Sequence, residues 1–105
     1  MKFKLVETLN SINESYTKID FDGMRSSDIM NTVNNEIRNA TSGVKLSVHY
    51  TDTYGKGGQY YTCVEQGKWV FGSGQHGSYY SNMDVYRSLM YSINAHRNAY
   101  MTIEK

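Results

Sequence analysis

Gly72, Gly74 and Gly77 in KWVFGSGQHGSYYSNMD (68–84) have the spacing G-x-G-x-x-G. In a strand-to-helix turn this spacing lets the backbone cradle a dinucleotide pyrophosphate. The chemistry also needs a helix that opens at the glycines and an acidic residue about twenty positions on for the ribose. Here the preceding strand reads as part of an antiparallel meander, and the next helix starts several residues after Gly77. The acids that follow are Asp84, too early, and Glu104, too late. A kinase-type glycine loop fails too, because no catalytic-loop motif follows it. The stretch is read as a glycine-rich loop rather than a nucleotide site.

Cys63 and His49 form a second constellation. A first hairpin loop of Gly55-Lys56-Gly57 places them opposite each other on the outer face of the sheet. A thiolate beside an imidazole is a nucleophile. A flat face supplies neither a pocket nor oxyanion donors, so the two are expected to be inert neighbours. Cys63, His49, His76 and His96 show no metal-ligand spacing. No catalytic residue, metal or cofactor is expected.

The chain has 105 residues, enough for one domain (1–105) with a single modest core. Its 11 basic and 10 acidic side chains leave a formal charge of +1. Grip on duplex nucleic acid normally needs a clear basic excess, since each phosphate contact uses a cation. The lone cysteine excludes an intramolecular disulfide and suits a reducing compartment. Glu7 interrupts the N-terminal apolar run, and no stretch approaches membrane-span length. The expectation is a cytoplasmic protein without a membrane partner. The absence of proline and the abundance of Asn, Lys, Ile and Tyr match AT-rich coding sequence of bacterial or phage type.

The elements that must position these residues follow from periodicity. Leu5, Leu9, Ile12 and Tyr16 recur at helical spacing over 4–16, with a strand over KFKLV as the competing reading. KIDFDG fits a brief extended piece before a turn at Asp22-Gly23. Ser26 or Ser27 can cap a second helix whose stripe is Ile29, Val33, Ile37 and Ala40, stopped by Gly43. From Val44 the period is two, with Val44, Leu46, Val48 and Tyr50 on one face.

Two hairpins follow. A two-residue turn at Gln66-Gly67 pairs Glu65 with Lys68 and Val64 with Trp69, so Thr62, Val64, Trp69 and Phe71 are expected on the core side. Matching the parity of Val48 and Tyr50 then requires an odd-length connection or a glycine bulge in the first hairpin. Ser81-x-x-Asp84 resembles a capping box for a last helix with a stripe of Met83, Tyr86, Leu89, Met90 and Ile93. AYMTIE adds a short C-terminal strand. The expected fold is α+β, a three-stranded antiparallel meander with helices packed on one face (α-α-β-β-β-α).

In such a meander, YGKGG (54–58) and GSGQHGSYY (72–80) leave from the same end of the sheet. They would gather Tyr54, Lys56, His76, Tyr79, Tyr80 and Arg87 into a partner-binding surface, where rigid Tyr side chains supply contact area at low entropic cost. The order α-β-β-β-α over about 27–96 resembles that of double-stranded-RNA-binding domains, in which the first inter-strand loop and the start of the last helix also sit together. That family carries lysines at the start of its last helix. This chain has SYYSNMDVYR there, with Arg87 alone, so it departs from the family at the RNA-contacting positions.

The favoured reading is a small non-enzymatic binding protein acting through protein–protein contacts. Its partner would be a host protein or ribonucleoprotein complex. The type is a phage- or mobile-element-encoded, anti-CRISPR-like inhibitor of a host defence or nucleic-acid-processing complex. The alternative is a nucleic-acid-binding domain that uses the two glycine-rich loops. A Cys63 enzyme and a homodimer built on His49, Thr51, Tyr61 and Val70 are further alternatives.

Overall fold

The computed structural model describes residues 16–72, 79–96 and 98–105. The helix read over 4–16 falls outside them apart from Tyr16, as do Gly74, His76 and Gly77. The described elements are β1 (Tyr16–Asp20), α1 (Ser26–Asn39), β2 (Lys45–Asp52), β3 (Gly55–Glu65), β4 (Lys68–Phe71), α2 (Asn82–Ala95) and β5 (Tyr100–Glu104). The strands form one antiparallel sheet in the order β1-β5-β2-β3-β4.

The fold is therefore α+β, but the sheet has five strands rather than three. The expected meander is β2-β3-β4. The C-terminal strand β5 inserts beside β2, and β1 pairs with its other edge. Burial explains the choice. Met101 and Ile103 of β5 stand opposite Val48 and Leu46 of β2, and all four are buried. A terminal strand with two such apolar residues buries more apolar area between two strands than at an edge.

One face of the sheet meets both helices. Leu46, Val48, Tyr61, Cys63, Trp69, Met101 and Ile103 share a core with Val33 and Ile37 of α1 and Val85, Leu89 and Ile93 of α2. Gln59 donates to the Ser88 carbonyl (2.9 Å) and the Ser92 hydroxyl (2.8 Å), and the Tyr61 hydroxyl donates to Ser88 Oγ (2.9 Å). These bonds fix how far α2 slides along β3.

The second hairpin departs from the expected register. Glu65 pairs with Lys68 as the turn requires, but a β-bulge follows and Cys63, not Val64, pairs with Trp69. The bulge reverses every side chain beyond it. Tyr61 and Cys63 therefore point into the core and Val64 is exposed, while Phe71 keeps to the core side opposite Tyr61 but is left exposed at the edge strand. The first hairpin needs no compensation: Asp52 pairs with Gly55 across Thr53-Tyr54, which brings Tyr61 opposite Leu46. The parity change expected among the first glycines occurs at Val64 instead.

Both helices form where periodicity places them. In α1, Ser26 and Ser27 lie in the first turn, and Arg25 is an N-cap with no side-chain bond. In α2, the capping box forms as read. Asp84 N–H donates to Ser81 Oγ (3.2 Å), and Ser81 N–H donates to Asp84 Oδ2 (3.0 Å). The buried stripe is Val85, Leu89, Met90 and Ile93, rotated from the expected one so that Met83 is 55% exposed.

Candidate functional site

The bulge decides the fate of the cysteine first. Cys63 is buried on the helix-facing side, and its Sγ donates to the Glu65 carbonyl at 3.3 Å. Burial, and then the Glu65 charge, push its thiol above the ordinary value. His49 pairs with Gly58 on the opposite face of the sheet. The thiol–imidazole pair does not exist, and a homodimer face containing Tyr61 is excluded because Tyr61 belongs to the core. No group of three metal-ligating side chains occurs among the described residues.

Residues 73–78 of the second glycine-rich loop lie outside the described residues, so only its ends, Gly72 and Tyr79-Tyr80, are placed relative to Tyr54 and Lys56. β3 runs on past its pairing with β4, so the Thr53-Tyr54 turn lies at one end of the sheet and the Gln66-Gly67 turn at the other. After β4 the chain returns to bridge Trp69 with Tyr80. Lys68 Nζ sits 4.4 Å from the centre of the Tyr79 ring. The bridge sets Tyr79 alongside Val70 and its partner Thr62, six residues from Lys56 on β3, or about 20 Å of extended strand. Tyr54 and Lys56 lie at the first-hairpin end of β3, and Tyr79 and Tyr80 stand beside β4 at the level of Thr62 and Cys63. Arg87 is exposed one turn beyond Met83 on α2.

What does assemble is a surface at the N-terminus of α2. Tyr80 is half-buried, edge-on to Tyr61 at 5.6 Å, so it supports rather than presents. Trp69 Nε1 donates to Asn82 Oδ1 at 2.7 Å and fixes the start of the helix against β4. The capping box holds the same turn from the other side. Hydrogen bonds from the Ser81 backbone, and then from its hydroxyl, hold the Asp84 carboxyl below its ordinary value. Beyond this turn a cavity of about 300 Å³ opens between the helices, lined by Asn34, Arg38, Asn82, Met83 and Tyr86.

Of the residues expected to bind a partner, Tyr79 and Arg87 lie near this end of α2, and Met83, Tyr86, Asn34 and Arg38 were not among them. Met83 and Tyr86 had been assigned to the core stripe. The signal for exposing Met83 was Val85, whose burial rotates the helix, but Met83 and Val85 are equally plausible as core from hydrophobicity alone.

The groove combines an exposed methionine, a half-buried tyrosine and a guanidinium on a rigid helical turn. Met, Tyr and Arg are the residue types enriched at the cores of protein interfaces. No protein-family model matches this sequence, and neither the curated proteins nor the solved structures compared with it include a significant match.

Proposed function

We propose that this protein is a binding module that docks on a protein partner through the α1–α2 groove, with Met83 and Tyr79 as its apolar anchors. The observation that carries this reading is the exposure of both side chains, each 55%, with Met83 on a first turn held by a capping box and by the Trp69–Asn82 bond and Tyr79 two residues before the cap. A rigidly displayed apolar group loses little entropy on binding, so more of its buried area becomes affinity. Arg38 lines the groove, Lys68 lies beside the Tyr79 ring and Arg87 is exposed one turn beyond Met83, while the nearby Asp84 carboxylate is engaged by Ser81. The partner surface that fits is an apolar side chain flanked by carboxylates.

The finer proposal is that the partner belongs to a host defence or nucleic-acid-processing complex, and that the protein inhibits it as a phage- or mobile-element-encoded factor. Its support is compositional: 105 residues, no proline and ten tyrosines in an AT-rich style of sequence. No helix among the described residues is long and apolar enough to cross a membrane. The test is affinity capture from the source cells with the wild type and with Met83→Glu. A partner retained by the first and lost by the second supports the reading. A partner held equally by both contradicts it.

A further inference from the structure

The sheet face opposite the helices carries an aromatic row with one position vacant of side chain. Asp20, Tyr100, His49 and Gly58 stand side by side across β1, β5, β2 and β3. The Tyr100 and His49 rings are stacked, with centroids 4.8 Å apart and planes 18° from parallel. That separation matches the spacing of neighbouring strands, so the rings stand upright next to each other. His49 Nε2 lies 3.0 Å from Thr102 Oγ1, which fixes the imidazole in this position.

The next place in the row is Gly58, which is exposed and, among the described residues, leaves the β3 side of His49 without a directly paired side chain. A Cβ at Gly58 would come within 2.7 Å of the Val48 carbonyl oxygen, so the step is built into the backbone geometry. Lys56 and Tyr60 flank Gly58 along β3 on the same face. A cavity of about 170 Å³ opens here, bounded by His49, Thr51, Lys56 and Tyr100 among others.

The cations on this face lie beside its rings. Lys18 Nζ is 4.3 Å from the Tyr100 centroid, and Lys45 Nζ is 5.8 Å from that of Tyr60. The acids on the face are Asp20, whose Oδ1 accepts from Asp22 N–H, and Glu104, which stands opposite Lys45. Among the described residues no helix packs on this side.

The geometry points to a single-stranded nucleic-acid site on the outer sheet face, with a base stacked on His49 over Gly58 and phosphates on Lys56, Lys45 and Lys18. A planar ring over Gly58 extends the Tyr100–His49 stack by one member. The lysines supply the charge that a flexible phosphate backbone needs and that a neutral aromatic peptide does not. Duplex is disfavoured, because its bases are already stacked and do not reach the step. This site is separate from the α1–α2 groove.

Fluorescence anisotropy of a labelled oligo-dT at low salt tests the assignment, with the full-length protein as wild type, His49→Ala, Lys56→Gln and Met83→Glu. The wild type should bind in the micromolar range. With three phosphate contacts, log affinity should fall against log salt with a slope of about −2. His49→Ala should weaken binding about fivefold or more, in line with the loss of one stacked base. Lys56→Gln, an exposed substitution in the hairpin, should reduce the slope by about 0.7. Met83→Glu should leave binding unchanged, which separates this site from the groove. No binding at low salt would overturn the assignment. So would binding that both outer-face variants leave intact, or equal affinity for a duplex of the same length.

Discussion

Trp69 and Asn82 are joined by a 2.7 Å hydrogen bond from the indole N–H to the side-chain carbonyl, between an entirely buried residue of β4 and the first residue of α2. Together with the backbone bridge from Trp69 to Tyr80, it sets where α2 begins and therefore where Met83 and Tyr86 stand. Replacing Asn82 by Ala leaves the indole N–H without its partner, at a cost of about 1–3 kcal/mol. Urea unfolding of Asn82→Ala should show that loss with an unchanged m-value. An unchanged midpoint would mean that the bond does not hold the helix.

The capping box makes a smaller, local contribution. Ser81→Ala removes the acceptor for Asp84 N–H and should destabilise the protein by about 0.5–2 kcal/mol in thermal or denaturant unfolding. Because Ser81 depresses the Asp84 carboxyl, the wild-type advantage is present above the unfolded value of 3.8 and is lost as pH falls through the folded one. The gap between wild type and Ser81→Ala should therefore narrow in acid.

Cys63 should be a poor nucleophile. Its thiol is buried and its ionisation is pushed up, so it should react with the alkylating reagent iodoacetamide more slowly than free cysteine at neutral pH. Denaturant should restore the ordinary rate. Fast labelling of the native protein would contradict the inward orientation that the bulge at Val64 imposes.

His49 gives the fold a pH dependence of definite sign. Burial, and then the Lys18 charge, hold its imidazole below the ordinary 6.5. The unfolded chain then takes up the proton more readily than the folded one. Stability from this residue is complete above the unfolded value and declines as pH falls below it, until the folded ring also protonates. The melting temperature should drop more between about pH 7.5 and 5.5 for the wild type than for His49→Gln. An equal drop would place the effect elsewhere.

Local signals in the sequence were reliable where one segment decides its own structure. The stripe of Val33 and Ile37, the alternation from Val44 and the Ser81–Asp84 box all form as read. Long-range choices were not legible. A single extra residue at Val64 exchanges the two faces of β3, and nothing in TCVEQGKW marks it. The insertion of β5 beside β2 depends on Met101 and Ile103 matching Val48 and Leu46 across fifty residues of chain. The site inherited both gaps. The two loops leave toward the same end of the meander, but β4 pairs with only part of β3, so Tyr79 stands about 20 Å along β3 from Lys56.

The account rests on the groove beside Met83 as the docking surface. Its most direct test is site-specific photo-crosslinking in the source cells, with the crosslinker at Met83 in one variant and at the more exposed Tyr91, also on α2, in another. The account predicts a discrete protein adduct from position 83, none from position 91, and loss of the adduct when Tyr79→Ala and Arg38→Glu are added. An adduct from position 91 alone, or one from position 83 that survives both substitutions, would contradict it.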